Sequence, residues 1–132
     1  MTNKVFLSLH GVIYGLFAIV LFFLPLQVWP LYGVQIQDQY AYFLSQHTSI
    51  FLGGIALVAW QLRELAQGEV AKKLILALLL TNLLGVAITT YAGVKGIFTG
   101  FGWSDPIFFA VMALLSAAQY RNQGTLYTNH GK

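Results

Sequence analysis

Cysteine is absent from this 132-residue chain. Disulfides, thiolate metal sites and cysteine nucleophiles are therefore excluded. Charge is also scarce. Asp, Glu, Lys and Arg make up 8% of the residues, against roughly 25% in an average soluble domain. None of these charged residues lies inside an apolar run away from its ends. Proton-coupled pumps usually need a buried carboxylate, and hydrolytic chemistry usually needs an acid–base pair. No P-loop, GxSxG, HExxH or dinucleotide fingerprint is present. An enzyme built from this chain would have to work with histidines, amides and hydroxyls, so the reading leans away from catalysis.

What fills the chain instead is hydrocarbon. Hydrophobic residues are 58% of it, and the mean hydropathy is +0.70. A small chain has much surface for its volume. In water, that surface would carry apolar patches well beyond the few hundred Å² a soluble monomer tolerates. Lipid is the simpler solvent. The net charge of +3 is spread over cations that flank apolar runs. They read as topology signals rather than as a nucleic-acid patch.

Four apolar segments approach the roughly 20 residues a helix needs to cross hydrocarbon. They run over about 5–24, 41–62, 74–94 and 104–120. The expected fold is an all-α integral membrane four-helix bundle, one domain over 1–123, followed by a disordered cytoplasmic tail over 124–132. The first run, Val5 to Leu24, follows Lys4 but is too long for a signal-peptide core and lacks a small-x-small cleavage site, so it reads as the first span. Lys4, Arg63, Lys72, Lys73, Arg121 and Lys132 fall on one side of such a bundle, and Lys95 alone on the other. The positive-inside rule then puts both termini in the cytoplasm.

The connections differ in character. The first, Pro25 to Tyr40, has no cation and carries Trp29, Pro30, Tyr32, Val34 and Ile36. Trp and Tyr favour the headgroup layer, so the favoured reading is an aromatic anchor lying flat on the outer interface; a lid over a cavity is the other. In the second loop, Glu69 and Lys73 are spaced to pair across a helical turn. Before the fourth span, Ser104-Asp105-Pro106 places Asp105 as a helix cap with Pro106 at the first helical position. From Pro106 to Tyr120 the helix would be about 22 Å long, short of a core of about 30 Å. Either Gly96–Trp103 dips into the interface, the helix continues past Arg121, or the bilayer thins.

Helices in lipid associate mainly through close packing of small residues. Every span has such a stripe. Gly11 and Gly15 form a GxxxG on the first, and Ser49 and Gly53 lie on the second. Thr81, Gly85, Thr89 and Gly93 recur at i+4 on the third, and Ala110, Ala113 and Ala117 mark the fourth. These stripes serve packing within the bundle, a second copy, or another subunit, and the pattern alone does not separate the three.

Two histidines fall inside spans. His10 would lie near the inner face and His47 near the outer, each about 9 Å deep. In a 30 Å core they stand on the order of 12 Å apart along the normal. Axial haem nitrogens must be within about 4 Å of each other, since metal–imidazole bonds are near 2 Å. No shared haem is expected, and no other cofactor or metal is called for. His10 reads as a structural histidine. His47 lies in Ser45-Gln46-His47-Thr48-Ser49, the most polar run of any span. Gln46, His47, Thr90 and Tyr91 are expected to line an outer-half cavity beneath Trp29 and Tyr32, or else to make ordinary interhelical hydrogen bonds.

The run Trp29-Pro30-Leu31-Tyr32-Gly33-Val34 after Pro25, then Phe51-Leu52-Gly53-Gly54-Ile55-Ala56-Leu57-Val58-Ala59-Trp60, resembles the small bacterial DoxX-like four-helix membrane proteins. The resemblance covers the first half of the chain, with the second half alike in layout. It implies four spans and an inner-membrane location, and some relatives act as membrane partners of redox or quinone-linked enzymes. It carries over no catalytic residues.

Two functions follow as expectations. The first is a non-enzymatic partner or scaffold, in a homo-oligomer or a larger membrane complex. The alternative is a binder or carrier of a lipophilic small molecule, a quinone or a lipid, around His47.

Overall fold

The computed structural model describes residues 1–123. The tail expected over 124–132 lies outside them. Four long helices account for most of the described chain: α1 (Asn3–Phe23), α3 (Gln39–Gln61), α4 (Glu69–Val94) and α5 (Ser104–Asn122). Each is long and apolar enough to cross a membrane. A short α2 (Pro25–Val28) and a 3-10 turn, Trp29–Tyr32, connect α1 to α3, and a second 3-10 turn, Gly100–Trp103, leads into α5. No strand occurs among the described residues.

The helix ends follow local chemistry. Thr2 caps α1 by accepting from the Val5 amide, and Asp38 caps α3 by accepting from the amides of Tyr40 and Ala41. Pro25 ends α1, because proline cannot supply the amide that would continue it. The largest shift in a boundary is at α4. It begins at Glu69 rather than near residue 74, and its 26 residues give about 39 Å of helix.

Asp105 is not the cap of α5. The helix begins at Ser104, with Trp103 in the cap position and no side chain bonded there. The 3-10 turn Gly100–Trp103 feeds straight into the helix, so no extended residue is left to act as a cap. Asp105 sits inside the first turn instead, and the helix runs one residue past Arg121, to Asn122. Its 19 residues give about 28 Å, so most of the apparent shortness of the fourth span disappears.

The helices pair in sequence order. α1 packs antiparallel on α3: a Cβ on Gly11 would lie 3.3 Å from Trp60 and Ala56, and one on Gly53 would lie 3.6 Å from Ala18. α4 packs antiparallel on α5: Gly85 receives the Phe109 ring, and Gly93 receives the Trp103 ring at 2.8 Å from an added Cβ. These named stripe residues are therefore used within the chain. Thr89 is buried with its hydroxyl bonded back to Gly85 O at 2.7 Å, Thr81 bonds back to Ala77 O at 2.9 Å, and Ser49 is buried on α3.

The two hairpins meet across a layered interior. At the end bearing the first residues, Asn3 clasps α5: its Oδ1 accepts from Gln119 Nε2 and Gln123 Nε2, both at 2.8 Å, and its Nδ2 donates to Gln123 Oε1 at 3.2 Å. Next comes an apolar layer of Phe6, Leu7, Ala59, Ile75 and Leu78. A polar layer around His10 follows, then an aromatic layer, then the 25–38 connection. Outside this interior, Lys4 Nζ meets Glu64 at 2.8 Å and holds its carboxyl below the ordinary value. Arg63 Nε also lies 4.0 Å from the same carboxylate, so Glu64 rather than Glu69 gathers the cations here, and among the described residues the expected Glu69–Lys73 pair does not form.

Candidate functional site

The polar layer is a closed hydrogen-bond set. Asn82, on α4, is its hub. Its Oδ1 accepts from the Tyr14 hydroxyl at 2.5 Å, and its Nδ2 lies 2.9 Å from Leu78 O, 3.3 Å from His10 Nε2 and 3.3 Å from Ser116 Oγ. Ser116 donates to Met112 O at 2.7 Å. His10 Nδ1 lies 3.2 Å from Phe6 O. A carbonyl only accepts, so Nδ1 carries the proton and Nε2 is the acceptor for Asn82. His10, Asn82 and Ser116 are all fully buried. No buried side-chain nitrogen or oxygen among the described residues lacks a partner, as a polar layer surrounded by hydrocarbon requires.

Tyr14 joins this layer to a cavity. The cavity lies toward the end of the bundle that carries the 25–38 connection, and has a volume of about 70 Å³. Tyr14, Phe17 and Leu21 of α1, Leu52 of α3, and Asp105, Phe108 and Phe109 of α5 form its floor and sides, and Val28, Trp29 and Tyr32 form its roof. Phe17 meets Phe108, and Phe108 meets Phe109, at centroid separations of 5.1 Å.

The roof is tied down. Trp29 Nε1 donates to Ser45 Oγ at 2.7 Å, and Ser45 passes the bond on to Leu21 O at 2.9 Å. The Thr99 amide donates to Tyr32 O at 3.0 Å. Tyr32 packs with Phe98 and Ala92 in a small apolar cluster. Gly33 makes this possible: its φ is +80°, a conformation that suits glycine, and a Cβ there would strike Thr99. The aromatic connection is therefore folded over the bundle end as a cover on the cavity.

One charged residue lines the cavity. Asp105 engages the Tyr32 hydroxyl, which also reaches Ser104. Burial pushes the Tyr32 hydroxyl above its ordinary value, and the neighbouring carboxylate adds to the effect. Tyr32 therefore remains a neutral donor.

Of the six residues expected to form the site, Trp29 and Tyr32 line the cavity. The other four do not. His47 is exposed on α3, between the rings of Phe43 and Phe51. Thr90 and Tyr91 are exposed on α4, with Lys95 Nζ 5.9 Å from the Tyr91 ring. Gln46 is half-buried and donates to Phe22 O at 3.3 Å. The physical reason is rotation about the helix axis. Ser45 and Ser49, one turn apart, hold the inward face of α3, which turns His47 out. His10 is in the interior and His47 on the surface, so the two share no site.

The residues missed in the sequence had readable signals. Tyr14 lies one turn after His10 on the same face, and His10 and Asn82 both fall in the half of the bundle nearer the first residues. Asp105 was hidden by its Pro106 neighbour, which made it look like a cap. Compared with known proteins, the chain has no match: no family model, no curated protein and no solved structure matches it.

Proposed function

We propose that this chain is a multi-pass protein of a bacterial inner membrane, with both termini cytoplasmic, and that it binds a lipophilic small molecule. The binding place is the cavity beneath Trp29 and Tyr32, not the surroundings of His47. The observation that carries this reading is the cavity itself. Its walls are apolar and aromatic, and few polar residues line it, Asp105 in the side and Tyr32 in the roof, as small-molecule sites usually combine them. A volume of about 70 Å³ receives one end of a ligand, whose remainder extends into lipid.

Orientation is supported by the cations. The antiparallel order gathers Lys4, Arg63, Lys72, Lys73 and Arg121 at one end and leaves Lys95 at the other, the asymmetry expected of a cytoplasmic face. On that orientation the cavity is in the outer half. The DoxX-like resemblance remains a proposal that fits a quinone or lipid ligand. For the partner or scaffold reading, the glycines Gly11, Gly53, Gly85 and Gly93 give no separate support, because they meet residues of the same chain; the lack of catalytic groups still fits it.

Ligand binding to the folded state raises stability by mass action. In neutral detergent, members of a panel of quinones, lipids and lipophilic amines should raise the unfolding temperature of the wild type. Leu52→Phe, which fills the cavity, should abolish that shift. A panel that moves neither protein, or both equally, would refute the reading.

A further inference from the structure

We propose that the cavity receives an ammonium head group, with the Asp105 carboxylate as counter-ion and the rings of Trp29, Tyr32, Phe108 and Phe109 as its cage. This rests on the ligand-binding reading above and names the ligand's class.

Three observations converge on a cation. First, Asp105 is the one charged residue among those that line the cavity, and no cation pairs with it among the described residues. A carboxylate among aromatic rings and apolar side chains is costly unless paired. The Tyr32 hydroxyl is the neighbouring neutral donor, and a carboxylate with its two oxygens keeps further acceptor capacity beside it. A cation brought by the ligand completes the pairing. An anionic head group would be repelled, and a neutral one would leave the charge unpaired.

Second, the remaining walls suit the same charge. The faces of Trp, Tyr and Phe attract cations, and most strongly where water is excluded. Trp29 and Tyr32 stand at 6.0 Å between centroids, edge to face, and Phe108 and Phe109 at 5.1 Å. All four line the same space.

Third, the size fits. A volume of about 70 Å³ corresponds to on the order of five water-sized groups. A nitrogen with its methyl substituents is of that size, whereas a whole quinone or sterol is not. The apolar body of the ligand would lie outside the cavity.

Decyltrimethylammonium and its uncharged isostere, with a tert-butyl group in place of the trimethylammonium, test this by calorimetry on the protein in neutral maltoside detergent. The wild type should bind the cation about tenfold or more tightly than the isostere. Asp105→Asn should bring the two within about twofold, and Asp105→Glu should keep the preference. Equal binding of both probes by the wild type overturns the ammonium proposal and leaves the lipophile reading standing. Binding of neither overturns both. An Asp105→Asn protein that keeps the preference overturns the role of Asp105. The wild-type comparison needs no variant to fold. Phosphatidylcholine in mixed micelles then separates the sources. Displacement of the probe assigns the site to a lipid head group and its absence to a free amphiphilic amine, and both results support the cation site.

Discussion

Asn82 is the residue on which most of the interior polarity depends. It satisfies the Tyr14 hydroxyl and offers its amide protons to His10 and Ser116. Asn82→Leu leaves Tyr14 without its partner and His10 Nε2 with the Ser116 hydroxyl alone, at 3.5 Å, and an orphaned buried polar group costs about 1–3 kcal/mol. Ser116→Ala removes a hydroxyl that donates within its own helix, while Asn82 keeps its other acceptors. Its cost should be nearer the intramembrane average of about 0.6 kcal/mol. Unfolding midpoints in a denaturing-detergent titration should rank wild type, Ser116→Ala and Asn82→Leu in falling order. An Asn82→Leu protein as stable as the wild type would mean that the network is incidental to stability.

At the scale of the helix, glycines set the distances between partners. Gly85 and Gly93 admit Phe109 and Trp103, whereas nothing lies within 4 Å of a Cβ on Gly54. Gly85→Ala therefore overpacks the α4–α5 contact, at about 1–3 kcal/mol. Gly54→Ala should change stability little or raise it slightly, since alanine is the better helix former by up to about 1 kcal/mol. The same unfolding titration checks both, and Phe109→Leu in the Gly85→Ala background should recover part of the loss. The i+4 stripe on α4 was legible in the sequence, and so were the existence and approximate ends of all four helices, because hydropathy and length report directly on solvent. The rotation of α3 was not. Ser45, Gln46, His47, Thr48 and Ser49 are all polar and any of them could hydrogen-bond inward, so composition did not single out an inward face. Packing of Ser45 against Leu21 O and Trp29 decides it. Asp105 was misjudged for a different reason: an Asp caps a helix only where its own backbone is non-helical, and here the chain is already helical at Trp103, with φ −66° and ψ −12°, so that Asp105 falls inside α5.

The whole molecule is two helical hairpins sealed at one end by the Asn3 clasp and covered at the other by the 25–38 connection. That polarity gives the bundle a direction, and the absence of cysteine gives a clean background for measuring it. In intact cells, a membrane-impermeant maleimide should label a Gln37→Cys variant and label Gln67→Cys only after permeabilisation. The reverse pattern would invert the orientation. The central claim is that the space beneath Trp29 and Tyr32 holds a ligand, and native mass spectrometry of protein released from its own membranes addresses it most directly. The account predicts one added small-molecule mass on the wild type and its loss from the folded Leu52→Phe variant. A wild-type protein that emerges bare, or an adduct that survives in Leu52→Phe, would contradict it.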